Sequence, residues 1–205
     1  MGIDMKILII GGNGTIGKTV TKRFSEENDE VIIAGRSSGD VTVDIANPDS
    51  IEEMFQKTGN VDAIINIAGD AKWDSFDNLS EEDFYIGIKS KMMGQVNLVR
   101  LGRNYLNDNG SITLTTGILA DEPVDKTTSA AMVNGAVESF TKAAALELTN
   151  GLRINVVSAD MVEDAYEKYK DYFPGNTPVP MRKITDGYFK SVKGKINGQI
   201  IRIRA

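Results

Sequence analysis

The sequence predicts an α/β fold in which a doubly wound parallel sheet carries helices on both faces. Short apolar runs alternate with longer segments of helical periodicity, a pattern typical of parallel strands joined by helices. A glycine-rich turn, Gly11–Gly17, directly follows the first apolar run, where a strand must give way to a helix. The 205 residues, 41% hydrophobic and 25% charged, have the size and composition of one globular domain. Residues 1–205 are therefore predicted to form a single domain.

Seven apolar runs are predicted as the strands of this sheet. They are short, rich in valine and isoleucine, and separated by segments long enough to cross over the sheet. The predicted strands are Lys6–Ile10, Glu30–Ala34, Val41–Asp44, Ala63–Ile67, Ser111–Thr115, Arg153–Val157 and Gln199–Ile203.

The helices are predicted from capping residues and from apolar spacing. The first begins near Thr15, and Pro48 can open the second. Ser80 starts a capping-box sequence for a long helix towards Tyr105, and an alanine-rich helix runs from about Thr128 to Thr149. The stretch Tyr172–Pro180 holds three prolines and a glycine. We expect that stretch to be a lid or a loop beside a substrate.

The composition excludes several kinds of chemistry. The chain has no cysteine and no histidine, so disulfides, thiolate or histidine catalysis and the common zinc sites are ruled out. No metal site is predicted. A formal net charge of −6 argues against nucleic acid or an anionic membrane as partner. No apolar run approaches the roughly 20 residues that span a bilayer, and we expect a cytoplasmic protein.

The glycine-rich turn fits two phosphate-binding motifs at once. Gly12-x-Gly14-x-x-Gly17 is the dinucleotide fingerprint, whose glycines allow a tight turn and close approach of the backbone to a pyrophosphate. The same residues with Lys18-Thr19 form a Walker A pattern, in which the lysine reaches the outer phosphates of a nucleoside triphosphate. Both interpretations predict that phosphates bind where the first strand ends.

The residues after the second strand favour the dinucleotide. Arg36-Ser37-Ser38 stands where such sites bind the adenosine ribose. An acidic residue there would accept hydrogen bonds from the 2′-hydroxyl, whereas an arginine and two serines suit a 2′-phosphate. NADP(H) is therefore predicted as cofactor, ahead of NAD(H). The alternative for Arg36 is a solvated charge at a strand end. ATP binding is the minority interpretation, because no apolar strand ends in an obvious magnesium-binding aspartate.

From the fourth strand onward the sequence resembles the short-chain dehydrogenase/reductase family, over nearly the whole chain. Asn66-Ile67-Ala68-Gly69 is similar to the family signature Asn-Asn-Ala-Gly, and Asp44-Ile45 to the pair that flanks the adenine. Ser111–Gly117 resembles the strand that carries the catalytic serine. Ala130–Leu148 resembles the active-site helix, and Arg153–Ser158 the strand that follows it.

The resemblance implies a Rossmann-like sheet of strand order 3-2-1-4-5-6-7 that binds a nicotinamide cofactor. Family members usually pair through the two long helices, so a homodimer or homotetramer is expected. The motifs together predict a set of cofactor-binding residues. They are Gly11, Gly12, Asn13, Gly14, Thr15, Ile16, Arg36, Ser37, Ser38, Asp44, Ile45, Asn66, Ala68 and Gly69.

The catalytic positions depart from the family pattern. Family members protonate the substrate with a tyrosine that is followed four residues later by a lysine, and here we assign those positions to Met132 and Ala136. Thr116 stands for the catalytic serine and Lys91 for an asparagine of the preceding long helix. The family's Pro-Gly pair after the sixth strand is replaced by Ala159-Asp160.

Two functions remain open at this stage. One is an atypical NADP(H)-dependent oxidoreductase acting on an unknown small carbonyl or alcohol, in which Lys91 and Thr116 polarise the substrate oxygen. The other is a catalytically silent NADP(H)-binding sensor or interaction module. The alternative for Lys91 is a solvated helix lysine. Glu138 is expected to face solvent, and Trp73 either overhangs the active site or covers the core.

Overall fold

The computed structural model describes residues 5–205. Its core is one parallel sheet of seven strands in the order β3-β2-β1-β4-β5-β6-β7. This confirms the predicted fold class and the strand order that the family resemblance implied. The strands are β1 (Lys6–Ile10), β2 (Glu30–Gly35), β3 (Val41–Thr42), β4 (Val61–Asn66), β5 (Leu106–Gly117), β6 (Arg153–Ala159) and β7 (Ile200–Ile203).

All seven predicted strands are present, and only their ends differ. β5 is longer than predicted at both ends, whereas β3 stops two residues early. β3 is short because Asp44 leaves the ladder: its Oδ1 accepts a hydrogen bond from the Ala46 amide, 3.0 Å away, and turns the chain towards the next helix.

Helices cover both faces of the sheet. They are α1 (Thr15–Ser25), α2 (Pro48–Thr58), α3 (Glu81–Gly87), α4 (Gly94–Gly102), α5 (Thr128–Glu147), α6 (Tyr166–Tyr169) and α7 (Met181–Lys193). α1 and α7 pack together on one face, and α2, α4 and α5 pack on the other. The strand side chains alternate between these two apolar layers: Leu8 and Ile10 face one, and Ile7 and Ile9 face the other. Both layers are buried, as expected of a parallel sheet.

Helix α7 is a helix that the sequence analysis did not predict. Its buried side chains Met181, Ile184, Tyr188 and Val192 form a stripe at helical spacing, which the adjacent proline-rich stretch obscured. The stripe packs on the sheet, and Phe189 stacks on Phe24 of α1 with ring centroids 5.7 Å apart. The segment that joins β6 to β7 therefore contains α7 in addition to the predicted loop Tyr172–Pro180.

The predicted helix from Ser80 towards Tyr105 is interrupted in the middle. Its capping box is present, but between α3 and α4 residues Ile88–Met93 form a turn of π-helix. The amide of Gly94 bonds to the carbonyl of Lys89, five residues back rather than four. Such turns insert one residue into a helix and occur frequently at functional sites. Lys91 lies inside this π-helical turn.

Within residues 5–205, no helix combines the length and the apolar character that crossing a membrane requires. The cytoplasmic location predicted from the sequence stays a prediction.

Candidate cofactor cleft and active site

A cleft of about 800 Å³ opens where β1, β2 and β4 end. Ligands of doubly wound sheets bind in this crevice. It forms because the connections that follow two neighbouring strands run to opposite faces of the sheet. All the predicted cofactor-binding residues line the cleft except Gly12, Asp44 and Asn66. The sequence analysis did not predict some other lining residues, among them Ser90 in the π-helical turn and Val162, Ala165 and Tyr169 after β6.

The floor of the cleft depends on close backbone packing in the glycine-rich turn. A Cβ on Gly17 would lie 2.0 Å from the carbonyl oxygen of Gly11, so only glycine allows α1 to begin this close to the turn. Gly11 has a φ of 82°, and a Cβ there would lie 3.0 Å from the amide of Ala68. The turn and the loop after β4 therefore meet along the floor, which leaves room for a pyrophosphate.

The three predicted residues outside the cleft wall support it from behind. Gly12 is buried, and a Cβ on it would lie 2.9 Å from Thr21 Oγ1. Asn66 is also buried, and its Nδ2 donates to the carbonyl of Ala68 at 2.8 Å, which shapes the loop that lines the cleft. Asp44 is exposed and holds the turn into α2.

Polar side chains meet at the end of β2, where the adenosine ribose is predicted to bind. Asn13 Nδ2 donates to Ser38 Oγ at 3.0 Å, which joins the glycine-rich turn to the loop after β2. Arg36 reaches across the cleft mouth to Asp70, with Arg36 Nη2 3.6 Å from Asp70 Oδ2. Both side chains are about two-thirds exposed, at 67% and 70%. Because exposed ion pairs contribute little to stability, a phosphate can replace Asp70 at small cost.

Lys91 is partly buried rather than solvated, which contradicts the alternative left open for it. A Cβ on Gly69 would lie 3.1 Å from Lys91 Cα, so the lysine packs against the cleft-lining loop after β4. Burial lowers the pKa of the Lys91 ammonium, and the nearby Asp70 carboxylate partly offsets that effect. A lysine in this setting can donate a proton more readily than one in water.

Thr116 is buried and bonded to a carboxylate. Its Oγ1 donates to Glu138 Oε1 at 2.9 Å, and Glu138 Oε2 lies 3.2 Å from Arg202 Nη2. Glu138 is 5% exposed, so the expectation that it faces solvent is wrong. The error arose because its partners come from β5 and β7, far away in the sequence. The single hydroxyl proton of Thr116 is already donated in this hydrogen bond to Glu138. Towards a substrate, Thr116 in this arrangement can only accept a hydrogen bond.

The ion pairs continue from Arg202 to the protein surface. Arg202 forms a two-point contact with Asp121, at 2.6 and 2.9 Å, and Arg204 Nη2 also bonds to Asp121 at 2.9 Å. The two arginines hold the pKa of the Asp121 carboxyl below its usual range. This network ties the last strand to the loop after β5.

The assignment of Met132 and Ala136 to the catalytic tyrosine and lysine positions is wrong. Met132 is 43% exposed and lies on the outer side of α5. The face of α5 towards the end of β5 instead carries Ala130, Asn134 and Glu138, spaced one turn apart. Two of them, Ala130 and Asn134, have the spacing of the missing pair. Neither is a tyrosine or a lysine.

An apolar cluster packs around Ala130 of α5. Met161 and Phe173, from the segment after β6, pack on Ile118, Leu119 and Ala130. Thr116 is 4% exposed and does not line the cleft. Thr116 and Lys91 therefore lie at the same edge of the sheet, but neither of them lines the cleft.

Trp73 packs against the same apolar cluster and does not line the cleft. Its ring contacts Tyr169 and Tyr172, with centroids 5.4 and 5.7 Å apart. Tyr169 also lines the cofactor cleft. Asp160, in the position of the family's Pro-Gly pair, turns away: its Oδ1 accepts the Met161 amide at 2.7 Å, and it does not line the cleft.

The sheet order and the glycine-floored cleft define a dinucleotide-binding Rossmann domain. A family model described as enoyl-(acyl carrier protein) reductase matches residues 11–176. The chain belongs to the short-chain dehydrogenase/reductase family.

Solved structures share this fold over almost the entire chain. The protein lin1944 from Listeria innocua is 47% identical, with a TM-score of 0.95, and the match covers 97% of this chain and 99% of that one. A small-chain dehydrogenase crystallised in complex with NADPH is 25% identical, with a TM-score of 0.87, covering 98% and 97% of the two chains.

The oxidoreductase UcpA of Escherichia coli is 26% identical over 77% of this chain and 67% of its own length.

The hydrogen bond between Thr116 and Glu138 is a testable feature of the site. We expect Glu138→Ala to lower the free energy of unfolding by about 1–3 kcal/mol, because a buried Thr116 hydroxyl loses its acceptor. The matched control is Glu147→Ala, on an exposed position at the end of the same helix, which should change stability by less than about 0.5 kcal/mol. Urea unfolding followed by circular dichroism compares the two. Equal stability of both variants would contradict the assigned contact.

Proposed function

We propose that the protein is an NADP(H)-dependent oxidoreductase acting on a small carbonyl or alcohol. The observation that carries this proposal is the cleft itself, which combines a glycine floor with Arg36, Ser37 and Ser38 at the ribose end. Its volume of about 800 Å³ lies within the range of cofactor sites, about 300–1,000 Å³.

The residues of the cleft fit the parts of NADP(H). The backbone from Gly11 to Ile16 faces the pyrophosphate position at the start of α1, where amide groups and the helix dipole favour anions. Ile45 and Val43 offer an apolar wall for the adenine. Arg36 supplies the donors for a 2′-phosphate. The complex of a related small-chain dehydrogenase with NADPH supports the choice of NADP over NAD.

When bound, the nicotinamide supplies the hydride chemistry. Lys91 donates a hydrogen bond or a proton to the substrate oxygen, since burial lowers the pKa of its ammonium. Thr116 accepts a hydrogen bond from a substrate hydroxyl, while Glu138 holds the threonine in place. Substrate access to Thr116 requires a movement of its surroundings, because Thr116 is buried and does not line the cleft.

A second candidate, the silent NADP(H)-binding module, is favoured by this burial of Thr116 and by the apolar surroundings of Ala130. Ala130 offers no proton donor, and the space around it is filled by apolar side chains of the segment after β6. If these apolar side chains stay in place, the cleft binds the cofactor without turnover.

We also propose a homodimer or homotetramer formed through the two long helices. Large apolar side chains are exposed on both of them, namely Tyr85, Ile86, Met93, Met132 and Leu146. Leu146 is 87% exposed, the largest exposed fraction among these five side chains.

A fluorescence titration of NADPH tests the cofactor assignment. We expect wild-type protein to bind NADPH, and Arg36→Ala to weaken NADPH binding about tenfold or more with little effect on NADH, because only NADPH loses a charge-assisted contact. Arg182→Ala, at a 93% exposed arginine outside the cleft, serves as control. Binding of Mg-ATP in place of either dinucleotide would support the Walker interpretation instead.

Turnover of a panel of aldehydes, ketones and alcohols separates the enzyme from the silent module. If the protein is an enzyme, Lys91→Ala should lower kcat about 100-fold or more, because proton delivery is worth about 10²–10⁴-fold. Lys89→Ala removes an exposed lysine of the same π-helical turn and should leave kcat unchanged. Absence of turnover by a wild-type protein that binds NADPH would favour the module.

Light scattering tests the assembly. We expect two or four chains per particle for the wild type, and a shift towards single chains for Leu146→Asp, because a carboxylate would be buried in the interface. Phe76→Asp changes an apolar side chain that is 68% exposed but lies outside the two helices, and it should not alter the mass. A monomeric wild type would refute the proposal.

A further inference from the structure

The cleft carries a carboxylate on its wall, although the ligand proposed for it is an anion. Among residues 5–205, Arg36 and Asp70 are the only charged side chains that line the cleft. NADP(H) brings a pyrophosphate and a 2′-phosphate, and an acid at the rim repels both of them. The fit of the cofactor alone therefore does not account for Asp70.

Asp70 stands on a backbone that two contacts hold in place. Its amide donates a hydrogen bond to Oγ of the buried Ser90, 3.1 Å away. The preceding residue, Gly69, has a φ of 137°, and a Cβ on it would lie 3.1 Å from Lys91 Cα. The backbone of Asp70 is thus anchored to the π-helical turn. Its side chain is 70% exposed and has room to change partners.

Arg36 is held opposite Asp70 by an equally tight loop. It follows Gly35, where a Cβ would lie 2.5 Å from the carbonyl oxygen of Ser38. Ser38 in turn accepts the hydrogen bond from Asn13 that ties this loop to the glycine-rich turn. The two anchored backbones bring Arg36 Nη2 to 3.6 Å from Asp70 Oδ2, across the mouth of the cleft.

A second cation lies behind Asp70. Lys91 follows Ser90 in the π-helical turn, and the Asp70 carboxylate raises the pKa of its ammonium against the larger lowering effect of burial. The two charges therefore interact. If Arg36 turns from Asp70 to a phosphate, the carboxylate still has an opposite charge nearby, which makes an exchange of partners at Arg36 less costly.

We propose that Asp70 sets the cofactor preference of the cleft by holding Arg36 whenever no ribose phosphate is present. With NADP(H), the 2′-phosphate displaces the carboxylate from Arg36. With NAD(H), Asp70 keeps Arg36, so the site holds no unpaired arginine. The pair thus narrows the margin by which NADP(H) is preferred. This inference rests on the proposed function and adds to it the residue that sets cofactor specificity.

Two small probes isolate the ribose end of the cleft. Adenosine 2′,5′-bisphosphate carries the ribose phosphate and 5′-AMP lacks it, and neither contains a nicotinamide. Their Kd values and those of NADPH and NADH are measured by calorimetry for the wild type, Asp70→Asn, Arg36→Ala and the double variant. Asp77→Asn is the matched control, because Asp77 is an exposed acid of the same segment after β4 and does not line the cleft.

We expect Asp70→Asn to tighten the binding of NADPH and of the bisphosphate about threefold to tenfold, because Arg36 loses its competing partner. Binding of NADH and 5′-AMP should change by less than about twofold, and Asp77→Asn should change none of the four. In the Arg36→Ala background, Asp70→Asn should have no effect, because the two residues act through one contact. The thermal midpoint should hardly move, since the pair is exposed.

Unchanged or weaker binding of NADPH and of the bisphosphate by Asp70→Asn would overturn the proposal. An equal gain in affinity in the Arg36→Ala background would also overturn it, because Asp70 would then act on the phosphate directly and not through Arg36. If the wild type binds neither NADPH nor NADH, the proposed function fails by itself. The two adenosine probes then still decide whether Asp70 competes for Arg36.

Discussion

The architecture of the site depends on one steric constraint, the contact between α1 and the turn that precedes it. Any side chain at position 17 would collide with the carbonyl of Gly11. Because glycine stands there, α1 starts directly behind the turn, and its first amide groups open onto the crevice between β1 and β4. The loop after β4 then closes on Gly11 from the other side. The floor of the cleft takes its shape from this contact.

The fold was predictable because parallel strands buried on both faces appear as continuous apolar runs. All seven strands and the first helices follow from such local signals. Helix α7 was missed because prolines precede its apolar stripe, and propensity near prolines pointed to a loop. The π-helical turn gave no sequence signal at all. It depends on how Gly94 and its neighbours pack against the rest of the chain, since a Cβ there would lie 2.9 Å from the carbonyl of Ile45.

The two halves of the site differed in how far sequence could predict them. The nucleotide half consists of short motifs whose members are close together in the chain, so most of its residues were found. The catalytic half depends on which face of α5 points inward. A shift of two residues in the alignment of a helix corresponds to a rotation of about 200°. The sequence analysis therefore assigned the tyrosine position to the outward-facing Met132 instead of the inward-facing Ala130. Glu138 was misplaced for another reason, because only the tertiary structure brings Arg202 to it.

The stacking of Trp73 on two tyrosines has a practical consequence. Trp73 is the only tryptophan of the chain, so all indole emission arises at this one point. Tyr169 contacts the indole ring and also lines the cleft, and Tyr172 precedes Phe173, which packs in the apolar cluster around Ala130. A movement of the segment after β6 changes the surroundings of the indole directly. The protein thus carries an intrinsic optical probe beside its cleft, at the apolar cluster around Ala130.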